Sequence, residues 1–259
     1  MTIIMGILNV TPDSFSDGGR YDATDAAIVR GLELRDAGAA IVDVGGESTR
    51  PGATRVDPAE ERDRVVPVIE ALAQEGVSVS IDTMNASTAL AAVDAGAQLI
   101  NDVSGGLADD GMARVVADTG AHFAVMHWRG AADVAPAFTD VVAEVRAELK
   151  ARVAELVVAG VDPAKIVLDP GIGFGKAPEH NWALLTHLDE IASLGHGILV
   201  GASRKRFIGA LLPEGAPMED RDLPTAVISA LVARQGAWAV RVHDVPSTRI
   251  ALAIAEQTA

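Results

Sequence analysis

The chain has 259 residues, 49% of them hydrophobic, with a formal charge of −15 and no cysteine. That length admits one sizeable core and a single domain over residues 1–259. The acidic balance argues against nucleic acid as a partner, since a phosphate backbone needs a basic surface, and the lack of cysteine excludes disulfides, thiolate nucleophiles and cysteine-ligated metals.

In chain order, short apolar runs rich in β-branched residues occupy residues 3–8, 40–44, 77–81, 98–101, 122–126, 165–168, 197–200 and 238–242. Stretches of helical period separate them, the alternation of βα units on a parallel sheet. The clearest is 138–160, where Val142, Val145, Leu149, Val153 and Leu156 share one face and the opposite face is charged. Gly38, Gly76, Gly96, Gly120 and Gly160 each stand before the next strand, the left-handed stop of a short αβ turn. Eight such units in a chain of this length predict a single (β/α)8 TIM barrel, with a doubly wound open sheet as the structural alternative. No run reaches the ~18 apolar residues of a membrane helix, and the first residues have no basic stretch before an apolar one. The expectation is therefore no membrane contact, no leader and a cytoplasmic location.

The βα connections are the long, polar ones, above all 9–20 and 45–57, which are loops 1 and 2 of the barrel. A barrel of this kind carries its site on that side. Asn9, Asp43, Asp82, Asn101, His127, Asp169, Ser203 and His243 all stand at or just past strand ends. Each alone could be a helix cap or a satisfied core polar group; together they point to a site. Asp82 and Asp169 are the most telling, because a buried carboxylate needs donors and a ligand bearing N–H groups would supply them.

An anionic ligand would need a local basic pocket, for which Arg50, Arg204, Lys205, Arg241 and His243 are placed. Residues 171–176, Gly-Ile-Gly-Phe-Gly-Lys, look at first like a nucleotide loop, but Ala177 stands where such a loop needs Ser or Thr and the glycine spacing differs. Residues 201–206 are a better anion site, with Ser203 expected to cap the following helix. Arg241 and His243 share one face of the last strand and would point inward beside Asn9 of the first. Met126 and His127 also read as core filler and a capped histidine.

The segments NVTPDSFSDGG, DVGGESTRPG, SIDT, NDVSGG, MHWRG, LDPGIGFGK, GASRK and RVHD resemble, in order and spacing, the signature segments of the dihydropteroate synthase family over about residues 5–245. Residues 131–137 look unlike typical members and fall in a variable loop. The resemblance implies a transferase of folate biosynthesis. It would condense 6-hydroxymethyl-7,8-dihydropterin diphosphate with 4-aminobenzoate to give 7,8-dihydropteroate and diphosphate, with sulfonamides competing for the 4-aminobenzoate pocket. It further implies that Asp82, Asn101 and Asp169 bond the pterin while Met126, Phe174 and Lys205 pack around it. Asn9, Arg241 and His243 would hold the diphosphate, and Mg²⁺ would bridge Asn9 and phosphate oxygens. Asp17 would stabilise a cationic pterin, Arg50 the departing diphosphate, and Phe15, Thr49, Pro51 and Ser203 would line the 4-aminobenzoate pocket. A homodimer through outer helices is implied as well. The alternatives are a pterin-binding paralogue without catalysis and the pterin-binding barrel of a corrinoid methyltransferase, which lacks these two loop sequences.

Overall fold

The computed structural model describes residues 1–11, 20–47, 56–130 and 137–258. Within them eight strands close into a parallel barrel in sequence order: β1 (Ile3–Asn9), β2 (Ile41–Gly45), β3 (Val79–Asp82), β4 (Leu99–Asp102), β5 (His122–Met126), β6 (Ile166–Asp169), β7 (Gly197–Val200) and β8 (Ala239–Val242). The first strand pairs with both the second and the last, Met5 standing beside Ile41 on one side and Arg241 on the other. The open-sheet alternative is thereby overturned. No described helix is long and apolar enough to cross a membrane.

Five strands (β1, β2, β3, β4 and β6) run one residue beyond the apolar runs that signal them. Hydrophobicity stops at the first polar side chain, but the backbone ladder does not: Val10 N donates to Gly45 O and His127 N to Asp169 O. Helices α1 (Arg20–Ala37), α2 (Pro58–Gln74), α3 (Ala86–Asp94), α4 (Met112–Thr119), α5 (Val141–Val158), α6 (Pro178–Thr186), α7 (Leu188–Ala192), α8 (Arg206–Gly209), α9 (Asp222–Arg234) and α10 (Val245–Gln257) accompany the strands. The predicted helix over 138–160 is trimmed at both ends. Asp140 caps its start, accepting from the amides of Val142 and Ala143 at 3.1 Å, and Gly160 follows its end with φ +98°.

Two apolar layers hold the fold. The larger lies between barrel and helices; the smaller fills the lower barrel interior with Met5, Leu99, Ala124, Val167, Leu199 and Ala239. Side chains on a strand alternate, so the next inward position lies two residues further on. Those positions are Ile7, Asn101, Met126, Asp169, Gly201 and Arg241. The register sets Asp82 beside Asn101, and Ile41 leads in the same way to Asp43. The barrel is thus apolar below and polar at the mouth, and strand parity alone brings Asp43, Asp82, Asn101, Asp169 and Arg241 to one level.

Candidate active site

Arg241 is the centre of this polar layer. Its Nε donates to Asp43 Oδ2 at 2.5 Å and its Nη2 to Asp82 Oδ2 at 2.7 Å. The same Asp43 oxygen accepts from Asn101 Nδ2 at 3.0 Å. Both carboxylates are buried, and the second oxygen of each, Oδ1, has no hydrogen-bond partner among the described residues. Unpaired buried acceptors are uncommon and costly, so this layer holds acceptor capacity that a donor-bearing ligand can use. Burial pushes the Asp82 carboxyl up, the Arg241 charge opposes that shift, and the nearby Asp43 carboxylate adds to it.

Asp169 completes the layer on the other side. Its Oδ1 accepts from Gly171 N at 2.7 Å; burial raises its pKa against the pull of that amide and of Lys205, Lys176 and Arg241. Lys205 Nζ lies 3.8 Å from the centre of the Phe174 ring, a cation–π contact. Burial and the Arg241 charge bring Lys205 down to about 8, against the attraction of Asp169 and Asp82. Two glycines make this approach possible. At Gly171, with φ +70°, a Cβ would meet the His127 carbonyl oxygen at 2.5 Å; at Gly173, with φ +79°, it would meet the Lys205 stem at 2.7 Å.

A cavity of about 930 Å³ opens beside this layer. Asn9, Phe174, Ser203, Lys205, Arg241 and His243 are among its walls, as are Lys176 and Arg206. Asp82, Asn101, Asp169 and Met126 are not among its walls; Asp82 is bonded to Arg241, which is. Asp17, Phe15, Thr49, Arg50 and Pro51 lie outside the described residues.

Some expectations need correction. Ser203 does not cap the next helix: Lys205 occupies that position without a side-chain cap, because α8 starts three residues after Ser203 and is four residues long. Ser203 Oγ instead bonds His243 Nδ1 at 2.9 Å and accepts from His243 N at 3.2 Å, joining β7 to β8 at the mouth. Arg204 is engaged by Asp222 through two bonds of 2.7 Å. It is both a wall of the cavity, as expected of the basic pocket, and a tether of the β7 loop. His127 is more than a capped core residue, since it bonds Glu148 and Lys176.

The linking role of Asp43 and the whole of Lys176 escaped the sequence reading. Strand parity marks Asp43 as inward, yet nothing local signals a partner 198 residues away. Lys176 follows a glycine-rich turn and looks solvated, but burial brings it down to about 7. Asp102, the outward neighbour of Asn101, organises its own turn by accepting from Ser104 N, Ser104 Oγ and Gly106 N at 2.7, 2.6 and 2.9 Å. Burial raises it to about 6 despite those bonds.

A parallel barrel with an acidic, amide-bearing mouth beside basic groups defines a small-molecule enzyme of the α/β-barrel class. The sequence profile of the pterin binding enzymes matches residues 5–243, and the chain belongs to that family. It is 55% identical to the dihydropteroate synthase of Mycobacterium leprae, covering 97% of this chain and 91% of that protein. The structure of Xanthomonas albilineans dihydropteroate synthase with 4-aminobenzoic acid superposes with a TM-score of 0.93 at 44% identity, over 99% of this chain and 93% of the other. That of the same enzyme with 7,8-dihydropteroate gives 0.90 at 41%, again over 99% of this chain and 93% of the other.

Proposed function

We propose that the chain is a dihydropteroate synthase in activity, joining 6-hydroxymethyl-7,8-dihydropterin diphosphate to 4-aminobenzoate with release of diphosphate. The observation that carries this reading is the buried pair of acceptors at the barrel mouth, Asp82 Oδ1 and Asp43 Oδ1, each lacking a donor among the described residues. A pterin is flat and rich in N–H groups along one edge, which is what such acceptors require. Asp82, Asn101 and Asp169 take that edge, while Met126, Phe174 and Lys205 enclose the ring.

Binding redistributes Arg241. Its guanidinium, held by two carboxylates in the structure, turns towards the diphosphate as the pterin supplies donors to Asp82, and Asn9 and His243 complete the cradle. Diphosphate leaves readily once its charge is spread, and the cation that remains on the exocyclic methylene delocalises into the ring. No protein nucleophile is needed. Asp17 stabilises that cation, Arg50 meets the leaving diphosphate, and Phe15, Thr49, Pro51 and Ser203 receive 4-aminobenzoate. Sulfonamides compete there.

Among the described residues no group of three or more His, Asp or Glu side chains is arranged as a metal cage. Mg²⁺ fits without one, because it keeps waters and phosphate oxygens and takes only one or two protein oxygens. Asn9 offers such an oxygen at the cavity wall. When bound, the ion would neutralise charge on the leaving group.

The chain also pairs with a second copy of itself. Leu223, Val227 and Leu231 on α9 and Ile250 and Ile254 on α10 are exposed at four-residue spacing, and the two helices pack together, so they present one apolar face. The test of the activity is diphosphate release from the pterin substrate with and without 4-aminobenzoate and Mg²⁺. Dependence on both supports the reading; release indifferent to the arylamine, or no release, overturns it.

A further inference from the structure

Lys176 sits at the end of the turn that carries Phe174, and the mechanism above gives it no part. Its Nζ meets His127 Nδ1 at 3.1 Å, Gly171 O at 3.0 Å and Phe174 O at 3.3 Å. An ammonium has three protons, and here it has three acceptors. The histidine can act as one of them only as a particular tautomer. His127 Nε2 faces Glu148 Oε2 at 2.9 Å, so the ring proton belongs on Nε2 and the lone pair on Nδ1. The ring is kept neutral, its pKa brought down to about 4 by burial and the Lys176 charge against the pull of Glu148. Glu148 is in turn held by Arg129, which also bonds Glu144 and lies 4.1 Å over the Phe138 ring.

These contacts form one chain: Arg129, Glu148, His127, Lys176, then the carbonyls of Gly171 and Phe174. It ties the loop after β5 and the face of α5 to the turn after β6. That turn presents Gly171 N to Asp169 and the Phe174 ring to Lys205. Its two positive-φ glycines, Gly171 and Gly173, leave its backbone free, and Asn181 Oδ1 holds it from a second side by accepting from Gly173 N at 2.6 Å.

We propose that Lys176 is a positioning residue for the pterin site: with His127 and Glu148 it fastens the 171–174 turn so that Asp169, Phe174 and Lys205 hold the ring in one geometry. The role towards the pterin rests on the synthase reading; the fastening of the turn does not. Charged groups facing Lys176 are Asp169 from β6, Arg129 from the β5 loop, Glu148 from α5 and Lys205 from the β7 loop.

The test uses the full chain below pH 7, where Lys176 carries its proton. Lys176→Met keeps the stem and removes all donors. Loss of a buried charged hydrogen-bond set raises KM for the pterin diphosphate by about 10- to 100-fold. With the chemistry untouched, KM for 4-aminobenzoate and kcat stay within about twofold. Glu148→Leu attacks the far end of the chain at a side chain that is 42% exposed, and so should fold even if Lys176→Met does not. It shows the same split more weakly, and Glu148→Gln, which can still accept from Nε2–H, restores most of it. In parallel, amide hydrogen exchange over 170–176 speeds up by about tenfold or more in Lys176→Met, while the strands are unaffected. An unchanged pterin KM, an equal rise in both KM values, or unchanged exchange at the turn overturns the proposal. If the wild-type chain releases no diphosphate, the synthase reading fails, and exchange at the turn still decides whether Lys176 fastens it.

Discussion

Replacing Arg241 with methionine removes the only cation that bonds Asp43 and Asp82 among the described residues. The two carboxylates are 0% and 4% exposed, so water does not rescue them. Two charge-assisted bonds of about 1.5–3 kcal/mol each set the scale, and removing one member of a buried ionic group typically costs about 3–5 kcal/mol. For a chain of this size that corresponds to a fall in Tm of about 6–20 °C. The deficit also depends on pH. Without Arg241 the Asp82 pKa, already raised, moves further up; an acid with a raised folded pKa stabilises the fold below its unfolded pKa and loses that contribution as pH rises through the folded one. Arg241→Met is therefore less impaired near pH 5 than at neutral pH. Urea unfolding of wild type and variant at both pH values measures this, and adding Asp82→Asn to the variant recovers part of the loss at neutral pH. A deficit below about 1 kcal/mol, or one of equal size at both pH values, would refute the view that Arg241 neutralises a buried acidic floor.

Other consequences can be checked separately. Asp169→Asn abolishes pterin binding in calorimetric titration while thermal unfolding stays cooperative, because the charged acceptor facing the ring is gone; wild-type affinity would remove Asp169 from the site. Lys205 titrates in the fold at about 8 instead of near 10.5, so its contribution is present above 10.5 and lost as pH falls through 8. The unfolding free energy of wild type relative to Lys205→Met should accordingly rise across that window by up to about 3 kcal/mol, and a flat difference would contradict the burial of this ammonium. Leu231→Asp places a charge on the exposed apolar face of α9 and α10. Sedimentation should show a dimer for the wild type and a monomer for the variant, and an unchanged oligomer would move the interface elsewhere.

The eight strands, the glycine stops and the polar ring at their ends were legible because each depends on local pattern: alternation of period two, a left-handed residue after a helix, a polar side chain where the core would take an aliphatic one. Leu99 to Asn101, Val167 to Asp169 and Ala239 to Arg241 each step from the filled interior to the mouth by that same parity. What the pattern did not disclose is which polar groups meet. Arg241 looked like an anion ligand and is held by Asp43 and Asp82, brought to it only by closure of the barrel. Ser203 looked like a helix cap because a serine precedes a basic helical stretch, but the helix begins later and the hydroxyl turns to His243. Glu148 and Lys176 each resemble solvated charges in their own segments. Only the packing of α5 beside the loops after β5 and β6 makes them partners of His127.

The most direct test of the account is a crystal structure of the chain with a pterin bound. The ring's N–H edge should lie against Asp82 Oδ1, Asn101 and Asp169, with Arg241 drawn away from Asp82 towards the phosphate side. A pterin lodged elsewhere in the cavity, with Arg241 still clasped between Asp43 and Asp82, would contradict it.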